Sequence, residues 1–197
     1  MKKFKGLLLI GVIALMLVGC GKTFDTDESA VYVKKGGKII GASVEEFDES
    51  KYDKDELSVF IDKAIDEYNK EHSSGSVSLG KLTVENNKAT LFLAYESPSD
   101  YTEFNGEEIF VGTIVDAMAA GYDFNELYYA VKGTELGDLT SIDKIDDDLK
   151  VVILKEHIGV KVDGTIKYIS SNLKIKDKKT AKAKKDASTE YTVVIYK

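Results

Sequence analysis

The chain predicts an α+β domain: antiparallel hairpins packed with one long amphipathic helix (about 53–71), one short helix (about 113–120) and a β-rich C-terminal third. Two observations predict it. One stretch repeats its apolar residues at the helical period, and many short stretches alternate or run apolar between Gly, Asn and Asp turns. The order also matters, because hairpin, helix and hairpin are followed by strands, a short helix, then mostly strands. Such an order places helices on antiparallel sheet.

Residues 30–34 and 38–44 flank Lys35-Gly36-Gly37, a hairpin whose glycines supply positive φ. Leu57, Phe60, Ile61, Ala64, Ile65 and Tyr68 then form one apolar helical stripe. Asp53, Asp55 and Glu56 suit the positive end of that helix, and Ser73-Ser74-Gly75 ends it. Leu82 and Val84 lead into Asn86-Asn87, and Leu91, Leu93 and Tyr95 alternate on the return. Gly80 breaks the phase between Leu79 and Leu82, which predicts a bulge. Pro98 opens a loop or helical turn to Asn105-Gly106, and 109–111 reads as strand. Thr113, with Asp116 three residues on, caps the short helix, and Gly121 closes it. A strand is expected over 127–131, a pattern break at 133–137 and one helical turn at 141–147. Val151-Val152-Ile153-Leu154 reads as a buried strand, Asp163-Gly164 as a two-residue hairpin turn joining 158–162 to 165–169, and 189–196 as the closing strand.

The N-terminus follows a different logic. Lys2, Lys3 and Lys5 precede thirteen apolar or glycine residues (6–18), and the segment closes on Leu17-Val18-Gly19-Cys20. A positive start, a short greasy middle and small residues before a cut make a secretory leader. Thirteen residues fall short of the ~20 that a spanning helix needs. A core helix would show polar positions at helical spacing, and an ordinary secreted protein has no need of a cysteine at the cut. The four closing residues resemble the lipobox of bacterial lipoproteins. The resemblance implies that Cys20 receives a diacylglyceryl group and that the bond before it is cleaved. The expected organisation is a signal peptide (1–19), a lipidated tether (20–28) and a single domain (29–197). It places the protein at the cell membrane, lipid-anchored on the extracytoplasmic face, with the bilayer as its partner.

Without the nineteen leader residues 178 of the 197 remain, enough for one ordinary core. The leader holds three lysines and no acid, so the formal charge of −7 becomes −10. That balance argues against nucleic acid, whose phosphates call for cationic partners. All 27 basic residues are lysine, so no guanidinium can grip a carboxylate or phosphate with two bonds. Cys20 is the single cysteine, and once acylated leaves no thiol for a disulfide, metal or nucleophile.

No catalytic, cofactor or metal residue is expected. His72 sits where it complements the C-terminal end of the long helix, and His157 lies in a turn between strands. The acids Asp143, Asp146, Asp147 and Asp148 lack the alternation and central glycine of a calcium loop. Nine of the nineteen aromatics fall within 38 residues, from Phe92 to Tyr129; they are core candidates first and a pocket second. Between Lys174 and Lys185 seven of twelve residues are lysine, read as a solvated loop ahead of contact with anionic lipid or wall polymers.

The stretch from Tyr101 to Thr113, Tyr-Thr-Glu-Phe-Asn-Gly-Glu-Glu-Ile-Phe-Val-Gly-Thr, is similar to a group of uncharacterised small lipoproteins of low-GC Gram-positive bacteria. The resemblance implies no activity and no functional residue beyond Cys20. The expected function is a non-enzymatic binding or scaffolding domain for a protein or small-molecule partner the sequence does not identify. A cell-envelope hydrolase using acidic residues and an inhibitor or immunity-type module are the alternatives.

Overall fold

The computed structural model describes residues 21–146, 148–185 and 190–197. The expected leader, Cys20, Asp147 and Thr189 lie outside the described residues. In chain order the elements are β1 (Ala30–Val33), β2 (Ile39–Glu46), α1 (Lys54–Glu71), β3 (Val77–Glu85), β4 (Lys88–Tyr95), α2 (Pro98–Asn105), β5 (Ile109–Thr113) and α3 (Ile114–Ala119). They continue as β6 (Tyr128–Lys132), β7 (Glu135–Thr140), β8 (Lys150–Leu154), β9 (Gly159–Val162), β10 (Ile166–Ile169), β11 (Leu173–Asp177), β12 (Thr180–Ala183) and β13 (Thr192–Tyr196). The class is α+β. Seven strands form one sheet in the order β11-β12-β9-β1-β2-β4-β3, and six form the other as β5-β8-β13-β10-β6-β7. Pairing is antiparallel except between β1 and β9.

Local chemistry accounts for the first half. The Asp53 carboxylate accepts from the backbone N–H groups of Asp55 and Glu56, capping α1. Asn86 and Asn87 both take positive φ, the geometry of a tight hairpin turn between β3 and β4. The β3–β4 register slips between Leu79 and Lys81, so Gly80 marks the bulge. Ser97 caps α2 ahead of Pro98, left-handed Gly106 closes it, and Thr113 with Asp116 makes a reciprocal capping box for α3.

The main core lies between the sheets, where Val31, Val33 and Ile39 meet Val152, Leu154 and Val194. α1 adds Ile61 and Ile65, and α2 adds Tyr101. On the far side of the six-stranded sheet Val151, Ile153 and Ile195 pack under α3 with Phe124 and Tyr128. Strand β8 is therefore apolar on both faces, which explains its uninterrupted run. The far side of the seven-stranded sheet carries Ile40, Ala42 and Phe92, covered by Phe24 and Tyr32.

Phe24 belongs to the segment expected as a tether. Its ring meets Tyr32 at 5.7 Å and Phe92 at 5.6 Å, with Lys161 Nζ 5.8 Å above it. Asp25 pairs with Lys176 at 3.8 Å, and Asp27 with Lys182. Residues 21–28 thus lie across the sheet as a strap.

Four expectations need correction. Asp163-Gly164 is not a hairpin turn: β9 is flanked by β1 and β12, while β10 joins the other sheet between β13 and β6. The Asp163 carboxylate accepts from Tyr32 OH and the Lys35 N–H on the first sheet, whereas a Cβ on Gly164 would stand 2.4 Å from Lys197 O beside the second. The dipeptide is the crossover between sheets. Second, the lysine run is the β11–β12 hairpin at a sheet edge. Lysines there deter further strand pairing, and two of them hold the strap. Third, Phe60 keeps to the helix stripe beside Leu57 and Ile61 but is not buried, being 70% exposed. Fourth, the pattern break at 133–137 contains the start of β7, an edge strand paired only with β6.

Candidate functional site

Strand β2 turns Gly41, Ser43 and Glu45 toward the interior, opposite Leu93, Leu91 and Ala89 of β4. Small and polar side chains in that row leave space where the neighbouring strands fill it. Two hollows result, and both are lined by Ser43, Glu45 and Leu91, so they form one cleft. Its inner end, about 160 Å³, adds Tyr95, Tyr101, Asn105 and Glu156. Its mouth, about 510 Å³, is framed by Phe47, Tyr52, Leu57, Phe60, Leu82 and Glu46.

The inner end is polar and ordered by α2. Tyr101 OH donates to Glu156 Oε2 at 2.6 Å, and Tyr95 OH to Asn105 Oδ1 at 3.1 Å. The Asn105 amide nitrogen donates to the Tyr101 carbonyl at 2.7 Å, fixing that side chain. The two tyrosine rings meet edge to face at 5.1 Å. Burial pushes Tyr95 up to about 12, and burial together with the nearby Glu156 carboxylate raises Tyr101 further. Burial also raises Glu156, against the opposing pull of the Tyr101 hydroxyl.

A carboxyl whose folded-state pKa exceeds its unfolded value costs stability once ionised. Stability from this group therefore grows as pH falls through the raised value, and the growth ends below the unfolded value. Gln accepts the same Tyr101 hydrogen bond without the charge. Glu156→Gln is expected to melt higher than wild type at pH 7, with the gain vanishing by about pH 4. Thermal denaturation across pH checks it; a gain that persists at low pH contradicts the assignment.

The mouth is apolar and open. Tyr52 is 64% exposed and its ring lies 5.9 Å from that of Phe47. Phe60 comes from the first half of α1, whose Leu57 and Ile61 also face the cleft. Glu45 and Glu46 stand on its edge.

Residues singled out in the sequence fall elsewhere. His72 stacks on Tyr68 at 3.9 Å, with Nδ1 3.0 Å from the Tyr68 carbonyl and Nε2 2.8 Å from Glu103 Oε2. The carbonyl bond first and Glu103 second raise its pKa, which favours the charged ring beside the C-terminal end of α1. His157 lies exposed between β8 and β9. Asp146 accepts from the Asp148 N–H at 3.1 Å, and Asp143 sits in a single 3-10 turn, Ile142–Lys144. Among the described residues no group of three or more His, Cys, Asp or Glu side chains could hold a metal ion. The aromatic stretch divides: Tyr95, Tyr101 and Phe104 pack in the main core, Phe110, Tyr122, Phe124 and Tyr128 under α3, and Phe92 beneath the strap. Only Tyr95 and Tyr101 of these line the cleft. Glu156 and Asn105 had no sequence signal, since nothing local marks a loop carboxylate that a helix 55 residues earlier will meet.

Fold and cleft define an α+β two-sheet domain with an amphipathic cleft under its long helix. Comparison with protein-family models, with curated proteins and with solved structures finds no match. No helix among the described residues is long and apolar enough to cross a membrane.

Proposed function

We propose that this chain is a membrane-anchored extracytoplasmic lipoprotein, held by Cys20, whose domain binds a partner through the cleft without transforming it. The observation that carries the binding half is the exposed apolar mouth, with Tyr52 64% and Phe60 70% exposed above a 510 Å³ hollow. Both side chains flank the same hollow, together with Phe47, Leu57 and Leu82. The volume falls in the range of ligand sites, about 300–1,000 Å³. Charge selects the partner's chemistry. Glu45 and Glu46 edge the mouth, and on the adjoining loop and helix start Asp48, Glu49, Asp53, Asp55 and Glu56 outnumber Lys51 and Lys54, with Lys51 paired to Asp48 at 2.8 Å. The occupant is an apolar segment bearing lysine or arginine, such as a basic amphipathic helix.

A hydrolase would draw on Glu45 and Glu156, which both line the inner end. Glu156 is already engaged there by the Tyr101 hydroxyl, at 2.6 Å. An inhibitor would press a protruding loop into its target, whereas the feature here is concave.

The test is a fluorescence titration of the unlipidated domain with two labelled 18-residue amphipathic peptides, one of leucine and lysine, one of leucine and glutamate. Saturable binding of the lysine peptide alone supports the reading. Equal binding of both, or of neither, contradicts it.

A further inference from the structure

Charge on this domain is divided between its two ends, and the division bears on how it sits on a membrane. Strand β2 leads from Lys38 at one pole to Glu45 and Glu46 at the other, over eight residues and about 27 Å. At the first pole three connections meet. The β1–β2 turn carries Lys34, Lys35 and Lys38. The crossover at Asp163-Gly164 lies beside it, with the Asp163 N–H donating to Val33 O. The β11–β12 turn carries Lys178 and Lys179, whose carbonyls accept from Ile166 and Val162 N–H groups. Lys34, Lys35, Lys150 and Lys197 line one hollow of about 200 Å³ there. Three acids at this pole are already engaged: Asp163 by Tyr32 and the Lys35 N–H, Glu96 by Lys38 at 2.5 Å, and Asp177 by the Lys179 N–H at 2.7 Å; Asp146 and Asp148, just ahead of Lys150, are exposed. Lys35, Lys150, Lys178, Lys179 and Lys197 are exposed.

The strap begins at this same pole. Gly21, one residue after Cys20, has its carbonyl 3.3 Å from Lys34 Nζ. A Cβ on Gly80 would stand 2.4 Å from Lys22 O, so the strap lies directly on the sheet there.

We propose that the lysine pole is a second membrane contact, binding the anionic phospholipid surface beside the Cys20 chains and turning the cleft away from the bilayer. It rests on the lipid-anchor reading for its orientation, but the lysine contact stands on its own. Each lysine near an anionic surface contributes about 1 kcal/mol, so four or five at one pole make a sensible attachment inside a chain of net negative charge. Such a patch also adds to acyl chains as an independent signal. The acidic pole, by repulsion, favours the same orientation.

The experiment uses the chain from Gly21 onward, which contains every residue of the three core clusters and carries no acyl group. Co-sedimentation is measured with phosphatidylcholine vesicles, with and without a third of phosphatidylglycerol. The expected result is salt-sensitive binding to the anionic vesicles only. Replacing Lys35, Lys150, Lys178 and Lys179 by glutamine should weaken it roughly tenfold or more. Replacing Lys63, Lys70, Lys88 and Lys144, equally exposed but away from the pole, should leave it near wild type. Equal loss in both sets, no binding to anionic vesicles, or displacement by soluble glycerol phosphate at matched phosphate concentration would each overturn the proposal. Because Cys20 is absent from this chain, a failure of lipidation would not alter the readout.

Discussion

Cys20→Ser is expected to abolish acylation and move the protein from the membrane fraction to the soluble phase. An alkyne fatty acid fed to the native host should label the wild-type chain and not the variant. The size of the effect follows from the chains themselves. One acyl chain binds a bilayer only marginally, with a constant of about 10⁴ M⁻¹, and each further buried CH₂ contributes about 0.8 kcal/mol. A second chain of a dozen methylenes therefore adds about 10 kcal/mol, the difference between transient and permanent residence. The lysine pole alone cannot replace that. Equal labelling of wild type and variant would sink the anchor reading.

Phe60→Glu is expected to eliminate binding of the leucine–lysine peptide while leaving the fold intact. At 70% exposure the side chain has little to lose on substitution, so the melting temperature should stay close to wild type. On binding, most of a phenylalanine's surface is removed from water, worth about 1.5–3 kcal/mol for a full side chain. Glutamate forfeits that and places an anion in an apolar mouth, so a loss of about 2 kcal/mol or more, roughly thirtyfold, is the minimum expected. A peptide that binds the variant as tightly as wild type, with the fold unchanged, would remove the cleft from the account.

The first half of the domain could be read from local chemistry. Asp53 caps α1, Asn86-Asn87 turns β3 into β4, Gly80 marks the bulge, and Thr113 with Asp116 opens α3. Each of these is decided within a few residues, and so its residues carry the signal. The failures are all decisions made at long range. Asp163-Gly164 has hairpin composition, but Tyr32, 131 residues away, claims the aspartate and leads β9 and β10 into different sheets. The strands of the lysine hairpin do turn Leu173, Ile175 and Ala181 into the main core, but lysines at most of the intervening positions hide that face from a reading by composition. Phe60 follows the helical period, yet it stands at the open mouth of the cleft, where no side chain closes over it. The inner end of the cleft needs β2, β4, α2 and the β8–β9 loop together. No segment of the chain announces such a site. The strap was equally silent: one phenylalanine among polar residues becomes a contact only once β1 and β4 lie side by side.

In the proposed arrangement the domain is held at its lysine pole and receives its partner at the opposite, acidic end. Spin labels placed singly at Lys35 and at Phe60 of the lipidated protein, in vesicles containing phosphatidylglycerol, test that most directly. Collision with dissolved oxygen, compared with a water-soluble nickel chelate, reports the depth of each label. The account predicts a Lys35 label at headgroup depth and a Phe60 label fully in water. A Phe60 label immersed in the acyl region, with Lys35 in water, would mean that the apolar mouth is itself the membrane contact.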